Sequence, residues 1–142
     1  MVNRDLVAAK LTELSDRVAR IRARAKATAD ELASDRDALD LVSFNLMLAV
    51  QLCADIASHL IADEAWPPAP NLATSFTRLE ERGVLSDSTA EALRRAVGLR
   101  NIVAHGYQGA DIAAIFQAAT RGIADLEAFA RELARWVTAR GE

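Results

Sequence analysis

Cysteine, histidine and aromatic residues are scarce in this 142-residue chain, and each scarcity excludes a class of protein. With Cys53 as its one cysteine, the chain forms no internal disulfide and no cysteine-rich zinc site. The two histidines, His59 and His105, offer few further ligands, so the sequence predicts no metal site. Aromatic residues make up 5% of the chain, and Ala and Leu dominate its hydrophobic half, which favours helices packed on helices over a sheet.

Long apolar runs and an excess of positive charge are also missing. No uninterrupted apolar run approaches about 18 residues, so the sequence predicts no membrane span. The charged residues 1–6 lack the apolar stretch of a signal peptide. The net charge is -3 and the pI is near 5.4, whereas proteins that coat nucleic acid are usually basic. We therefore expect a cytoplasmic protein without bulk affinity for nucleic acid, although a local basic pocket remains compatible with this charge.

Hydrophobic periodicity predicts an all-α bundle of about five helices in a single domain, residues 1–142. The first helix is expected at about 3–28, with a narrow heptad seam. The second is expected at about 35–63, capped by Ser34 or Asp35, and its broad apolar stripe predicts the most buried helix, with Cys53 as a core residue. The prolines after Trp66 end it, because proline supplies no N–H to the helix.

The second half of the chain predicts three more helices. A short helix at about 72–82 is closed by Gly83 in the left-handed conformation. A capping box of Ser88 and Glu91 begins the fourth helix. The fifth begins near Asp111, which is a good N-cap.

The second half of the first helix is basic, and two interpretations are open. It could face RNA, or it could be a solvated surface, which is the commoner case and the one we favour. The residues concerned are Arg17, Arg20, Arg22, Arg24 and Lys26.

The fourth helix ends in the sequence Arg-Asn-Ile-Val-Ala-His-Gly-Tyr, residues 100–107, which gathers the chain's most chemically versatile side chains. Arg100 carries a fixed fork of donors suited to phosphate oxygens. His105 gains or loses a proton near neutral pH, and Tyr107 carries a hydroxyl that becomes nucleophilic on deprotonation. These are the components of a site that acts on phosphodiesters, although one Arg and one His near a helix end are also found in simple helix caps.

The spacing of the motif limits its geometry. Arg100 and His105 are five residues apart, which places them roughly 140° apart around a straight helix. Asn101 and His105, at i and i+4, share a face. Either the helix unwinds at Gly106, or Arg and His from two chains converge near a two-fold axis.

The motif of Arg100, Asn101, His105 and Tyr107 resembles that of HEPN-domain toxins of the HepT type, which are paired with the nucleotidyltransferase antitoxin MntA. The resemblance extends over nearly the whole chain. It includes Asp-Arg-Asp at the start of the second helix, the Phe-x-x-Leu-x-x-x-Gly-Val-Leu turn at 76–85, the Gly-Leu-Arg-Asn run at 98–101 and an Asp-Leu pair in the C-terminal helix.

The resemblance implies a HEPN-type antiparallel bundle that forms a homodimer with a composite cleft at the interface. It implies a metal-independent endoribonuclease with Arg100 and His105 as the catalytic pair and Asn101 as a polar accessory. It also implies that the antitoxin attaches AMP to Tyr107, using ATP and Mg²⁺ that the antitoxin itself binds, so this chain needs no cofactor.

The chemistry agrees with that function. RNA supplies its own nucleophile, the 2′-OH; a neutral His105 accepts its proton, and a protonated histidine donates one to the leaving 5′-oxygen. Arg100 stabilises the charge that develops on the phosphoryl oxygens. The alternative is a non-catalytic HEPN subunit that binds a nucleotidyltransferase, and a weaker third hypothesis is a helical dimer whose motif is only a helix cap.

Overall fold

A computed structural model describes residues 2–106 and 109–140 and confirms the predicted all-α class. Within these residues it contains seven helices, two more than the sequence predicted. They are α1 (Arg4–Ala23), α2 (Ala29–Ser34), α3 (Arg36–Asp63), α4 (Leu72–Glu81), α5 (Asp87–Ala104), α6 (Gly109–Thr120) and α7 (Gly122–Arg140).

The helix α3 forms the centre of the fold, as its broad apolar stripe predicted. It packs against every other helix of the bundle. The apolar side chains that face the core are almost completely buried: Ala38, Leu39, Val42, Leu46, Ala49, Val50, Leu52, Cys53, Ala54, Ile56, Ala57, Leu60 and Ile61. Burial in this apolar environment raises the pKa of the Cys53 thiol, which confirms that cysteine as a core residue and not a nucleophile.

By length and composition alone, α3 is long and apolar enough to cross a membrane. A core helix passes the same test, and 61% of its most apolar window is buried inside the fold. We therefore interpret α3 as the core helix of the bundle. The cytoplasmic location stays a prediction.

Two extra helices account for the wrong helix count. The expected turn between the first two helices contains α2, because Thr28 accepts a hydrogen bond from the N–H of Glu31 (3.1 Å) and caps a short helix. The expected single C-terminal helix is divided at Arg121 into α6 and α7. Just before the break, the hydroxyl of Thr120 donates to the carbonyl of Phe116 (2.9 Å), a side-chain bond that commonly bends helices.

The observed N-caps confirm one sequence prediction and correct two. Asp35 caps α3 by accepting from the N–H of Ala38 (3.1 Å). The cap of α5 is Ser86, not the predicted Ser88, and it accepts from the N–H of Thr89. Asp111 lies inside the first turn of α6, where its charge is favourable, and not at the N-cap.

Two helix ends have the same hydrogen-bond pattern but different residues at the left-handed position. After α4, Gly83 has φ +75° and Val84 donates to the carbonyl of Leu79 (2.9 Å), as predicted for a glycine-closed end. After α3, Ala65 occupies the equivalent position with φ +55°, and Trp66 donates to the carbonyl of Ile61 (3.0 Å). An alanine there crowds its own carbonyl, whereas glycine does not.

Most of the basic residues in the second half of α1 and just after its end at Ala23 pair with neighbouring acidic or amide groups. Arg22 forms two hydrogen bonds with Glu127 of α7 (2.8 and 2.9 Å), which hold the pKa of that carboxyl below its ordinary value. Arg20 pairs with Asp16, and Lys26 pairs with Asp35. These contacts favour the solvated-face interpretation over an RNA-binding patch.

We expect Ala65→Gly to stabilise the protein by about 1 kcal/mol, because it relieves the left-handed strain. Ala62→Gly is the matched control: this exposed residue lies within α3, where glycine costs up to about 1 kcal/mol. Denaturant unfolding followed by circular dichroism measures both. Equal destabilisation by the two substitutions would contradict the strain at Ala65.

Candidate functional site

The first half of α5 is firmly anchored to the bundle. The carboxylate of Glu132 on α7 accepts from the N–H of Ser86 (2.7 Å) and from the hydroxyl of Thr89 (2.6 Å). On the opposite flank, Arg94 donates to Glu80 of α4 (2.8 Å), and this bond holds the pKa of the Glu80 carboxyl below its ordinary value. These contacts fix the direction in which α5 leaves the core.

The second half of α5 is much less covered. Its buried residues end at Leu93, and no later α5 residue is buried within the described part of the chain. The apolar side chains Val97, Leu99, Ile102 and Val103 are only half-buried. The segment that carries the motif therefore presents apolar surface that the described residues leave partly exposed.

Arg100 and Asn101 lie together at the end of α5. Nη1 of Arg100 donates to Oδ1 of Asn101 (3.2 Å). Nε of Arg100 is buried and has no hydrogen-bond partner within the described residues. Leaving a buried donor unsatisfied costs about 1–3 kcal/mol. The arginine is thus half-buried and oriented by its neighbour, while part of its hydrogen-bonding capacity remains unused.

His105 ends the helix as its C-cap. Its backbone N–H donates to the carbonyl of Asn101 (3.1 Å), and the residue is exposed. Gly106 follows in the left-handed conformation, with φ +85°, and donates to the carbonyl of Val103 (3.3 Å). The predicted helix end at Gly106 is therefore confirmed, whereas Tyr107 lies outside the described residues.

The helix does not unwind before His105, so the angular separation of side chains expected for a straight helix holds up to that residue. Arg100 and His105 leave α5 about 140° apart around its axis. Asn101 and His105 are on the same face. Within one chain, the structure brings Arg100 to Asn101 through a hydrogen bond. The catalytic roles of the three residues remain predictions.

An apolar groove of about 630 Å³ lies beside the motif and was not predicted from the sequence. It is formed by side chains of α3, α5, α6 and α7. Its α5 wall includes Leu99 and Ile102, the residues that flank Arg100 and Asn101. It forms only when the consecutive helices α5, α6 and α7 pack on the distant α3, so no local pattern could have indicated it.

The described residues contain no group of three His, Cys, Asp or Glu side chains placed to hold a metal ion. Metal-independent cleavage therefore stays a prediction. The groups available at the end of α5 are a guanidinium, a carboxamide and an imidazole, which together suit a phosphodiester.

The fold is that of HEPN proteins. The tri-AMPylated HEPN toxin of Shewanella oneidensis, solved in complex with MNT antitoxin, superposes with a TM-score of 0.85 at 23% identity, over 93% of this chain and 98% of that chain. YutE, a cytosolic protein of unknown function from Bacillus subtilis, superposes with a TM-score of 0.83 at 12% identity, over 98% and 93%. At these identities, the likeness shows the fold alone.

The amino-acid sequence shows which family the chain belongs to. The chain is 29% identical over 90 residues to the mRNA nuclease HepT of Shewanella oneidensis, covering 63% of this chain and 68% of that protein. The sequence profile of the family described as "Ribonuclease HepT-like" matches residues 14–133. The chain belongs to the ribonuclease HepT-like family, and the resemblance found in the sequence is confirmed.

Gly98 inside α5 and Gly106 just after its end should respond oppositely to alanine. Gly106→Ala should destabilise the protein by about 1–2 kcal/mol, because alanine is strained at φ +85°. Gly98→Ala should stabilise it by up to about 1 kcal/mol, because Gly98 lies inside the helix with open space around it. Urea unfolding of both variants measures the difference, and a neutral Gly106→Ala would show that the left-handed helix end is dispensable.

Proposed function

We propose that this protein is the toxin of a toxin–antitoxin pair, a metal-independent endoribonuclease regulated by a nucleotidyltransferase. Family membership supports a ribonuclease. The observation that carries the proposal is the end of α5, where Arg100 and Asn101 are hydrogen-bonded and His105 is exposed one turn later. A purely structural helix end has no evident need for this combination.

In the proposed reaction, the substrate supplies the nucleophile. A neutral His105 removes the proton from a ribose 2′-OH, whose oxygen attacks the adjacent phosphorus. Arg100 binds the phosphoryl oxygens as negative charge builds on them. The P–O5′ bond breaks as a protonated histidine donates to the leaving oxygen. The products are a 2′,3′-cyclic phosphate and a 5′-hydroxyl.

The reaction requires two chains. Because Arg100 and His105 point about 140° apart on one helix, we propose that a homodimer brings Arg100 of one chain to His105 of the other. The half-buried Val97 and Val103 of α5, which do not line the groove, offer apolar surface for such an interface, and Phe44 on α3, 52% exposed, offers more.

Regulation is proposed to act on Tyr107, which directly follows Gly106. A phenol has an ordinary pKa of about 10, so a partner enzyme must supply the base and the Mg²⁺-bound ATP. The phenolic oxygen attacks the α-phosphorus of ATP, pyrophosphate leaves, and AMP remains on the tyrosine. That bulky anion would compete with substrate phosphate for Arg100 and obstruct the cleft. The complex of the Shewanella toxin with MNT antitoxin supports a partner of this kind.

A mixed dimer tests the composite site. Arg100→Ala and His105→Ala should each reduce RNA cleavage by about 10²-fold or more with unchanged helical circular dichroism. A mixed dimer contains one Arg100→Ala chain and one His105→Ala chain and is purified through a different tag on each. It keeps one complete Arg–His pair across the interface, because each chain supplies the residue that the other lacks. We expect mixed dimers to recover at most about half of wild-type cleavage.

Wild-type chains carrying the same two tags are the control for the mixed dimers. Mixed dimers as inactive as the parent variants would contradict the composite site. Loss of folding in either alanine variant would instead assign these residues to the helix cap.

Labelling tests the regulated position. Co-expression with the cognate nucleotidyltransferase should add mass in AMP units to wild-type protein. The added label should map to Tyr107, and the Tyr107→Phe variant should not acquire it. Intact-mass spectrometry followed by peptide mapping measures this. Label on another residue would contradict the assignment. Full neutralisation of unlabelled Tyr107→Phe by a catalytically dead partner would show that inhibition works by binding alone.

A further inference from the structure

We propose that the groove between α5 and α6–α7 binds a nucleoside of single-stranded RNA next to the cleaved phosphate. This inference rests on the ribonuclease activity proposed above and adds to it the surface that holds the substrate. The groove adjoins the helix that carries the motif, and none of the residues predicted to form the site lines it.

The groove and the motif share the last turns of α5. Leu99 lines the groove and directly precedes Arg100 in sequence. Ile102 lines it one turn before His105. A strand whose phosphate lies at Arg100 would therefore pass its neighbouring nucleoside along this wall of α5. One nucleotide spans only a few ångströms, so no further linking surface is needed.

The floor of the groove suits the flat face of a base. It is formed by aliphatic side chains, including Leu46 and Val50 of α3, Leu93 of α5 and Leu126 of α7. The volume of about 630 Å³ lies within the range of about 300–1,000 Å³ that is typical of small-ligand sites. These floor side chains are already buried, so the apolar surface that a base would remove from water is that of the half-buried Leu99 and Ile102 on the α5 wall.

The rim of the groove complements an RNA strand in charge and hydrogen bonding. Arg121, at the break between α6 and α7, is exposed, and no carboxylate within the described residues forms an ion pair with it. Arg95 on the other rim pairs with Glu91 only through an exposed contact (3.3 Å), which is worth little in water. Gln117 offers an amide, and Asp125 offers a carboxylate, to the edge of a base.

Gly98 gives the groove an open backbone wall. A Cβ built on this residue meets no atom within 4 Å. Glycine inside a helix costs about 1 kcal/mol relative to alanine. A residue of this kind in the middle of α5 is consistent with close approach of another molecule to the helix backbone.

Groove filling tests the inference directly. Ala114 is exposed on α6 and lines the groove, so Ala114→Trp should occupy it. Ala113, exposed next to it, does not line the groove, so Ala113→Trp is the matched control. Both are made in the cleavage-dead His105→Ala chain. Fluorescence anisotropy with a labelled single-stranded RNA should show at least 10-fold weaker binding for Ala114→Trp and less than 2-fold change for Ala113→Trp.

Salt dependence tests the charged rim. Arg121→Ala should reduce the slope of log Kd against log salt concentration by about 0.7, the value for one phosphate contact on a single strand. Arg135→Ala removes an exposed arginine of α7 that does not line the groove, and it should leave the slope unchanged.

Two results would overturn the inference. RNA binding that Ala114→Trp leaves unchanged would exclude the groove from the substrate path. Conversion of Ala114→Trp, but not Ala113→Trp, to a monomer in sedimentation would assign the groove to a second copy of the chain. Failure of the proposed function is a separate result: wild-type protein would then cleave no RNA, whatever the groove variants bind.

Discussion

The anchorage of α5 is the constraint on which the candidate site depends. Glu132 holds its N-terminus through Ser86 and Thr89, and the Arg94–Glu80 ion pair holds it against α4. The helix is therefore rigid where it begins and sparsely covered where it ends. A rigid base fixes the position of the motif, and an uncovered end leaves the motif accessible to another chain or to a substrate.

Local patterns predicted the elements whose signals lie in adjacent residues. The bounds of α3 followed from its apolar stripe, the cap at Asp35 and the prolines after Trp66. The end of α5 followed from Gly106. Thr28 and Glu31 have the spacing of a capping box, so α2 could have been predicted from that signal. No local signal indicated the left-handed Ala65, where the alanine is strained and is held by the surrounding hydrogen bonds.

The groove and the orientation of the site depend on contacts between distant segments. The Arg100–Asn101 hydrogen bond joins neighbours, but the sequence left open whether α5 unwinds at Gly106 and turns His105 back toward Arg100. The groove needs α3, α5, α6 and α7 in place together. The C-terminal helix that the sequence predicted as continuous is broken at Arg121. That break lies on the rim of the groove, beside the proposed substrate path.

Substrates made with or without one 2′-OH test the proposed chemistry most directly. Two single-stranded RNAs, identical except for a 2′-deoxy residue at the mapped cleavage position, are incubated with wild-type protein in excess EDTA. If the 2′-OH is the nucleophile, the all-ribose strand is cut to a 2′,3′-cyclic phosphate and the 2′-deoxy strand survives at that position. Equal cleavage of both strands would contradict the 2′-OH as nucleophile. Cleavage abolished by EDTA and restored by Mg²⁺ would contradict metal-independent catalysis by Arg100 and His105.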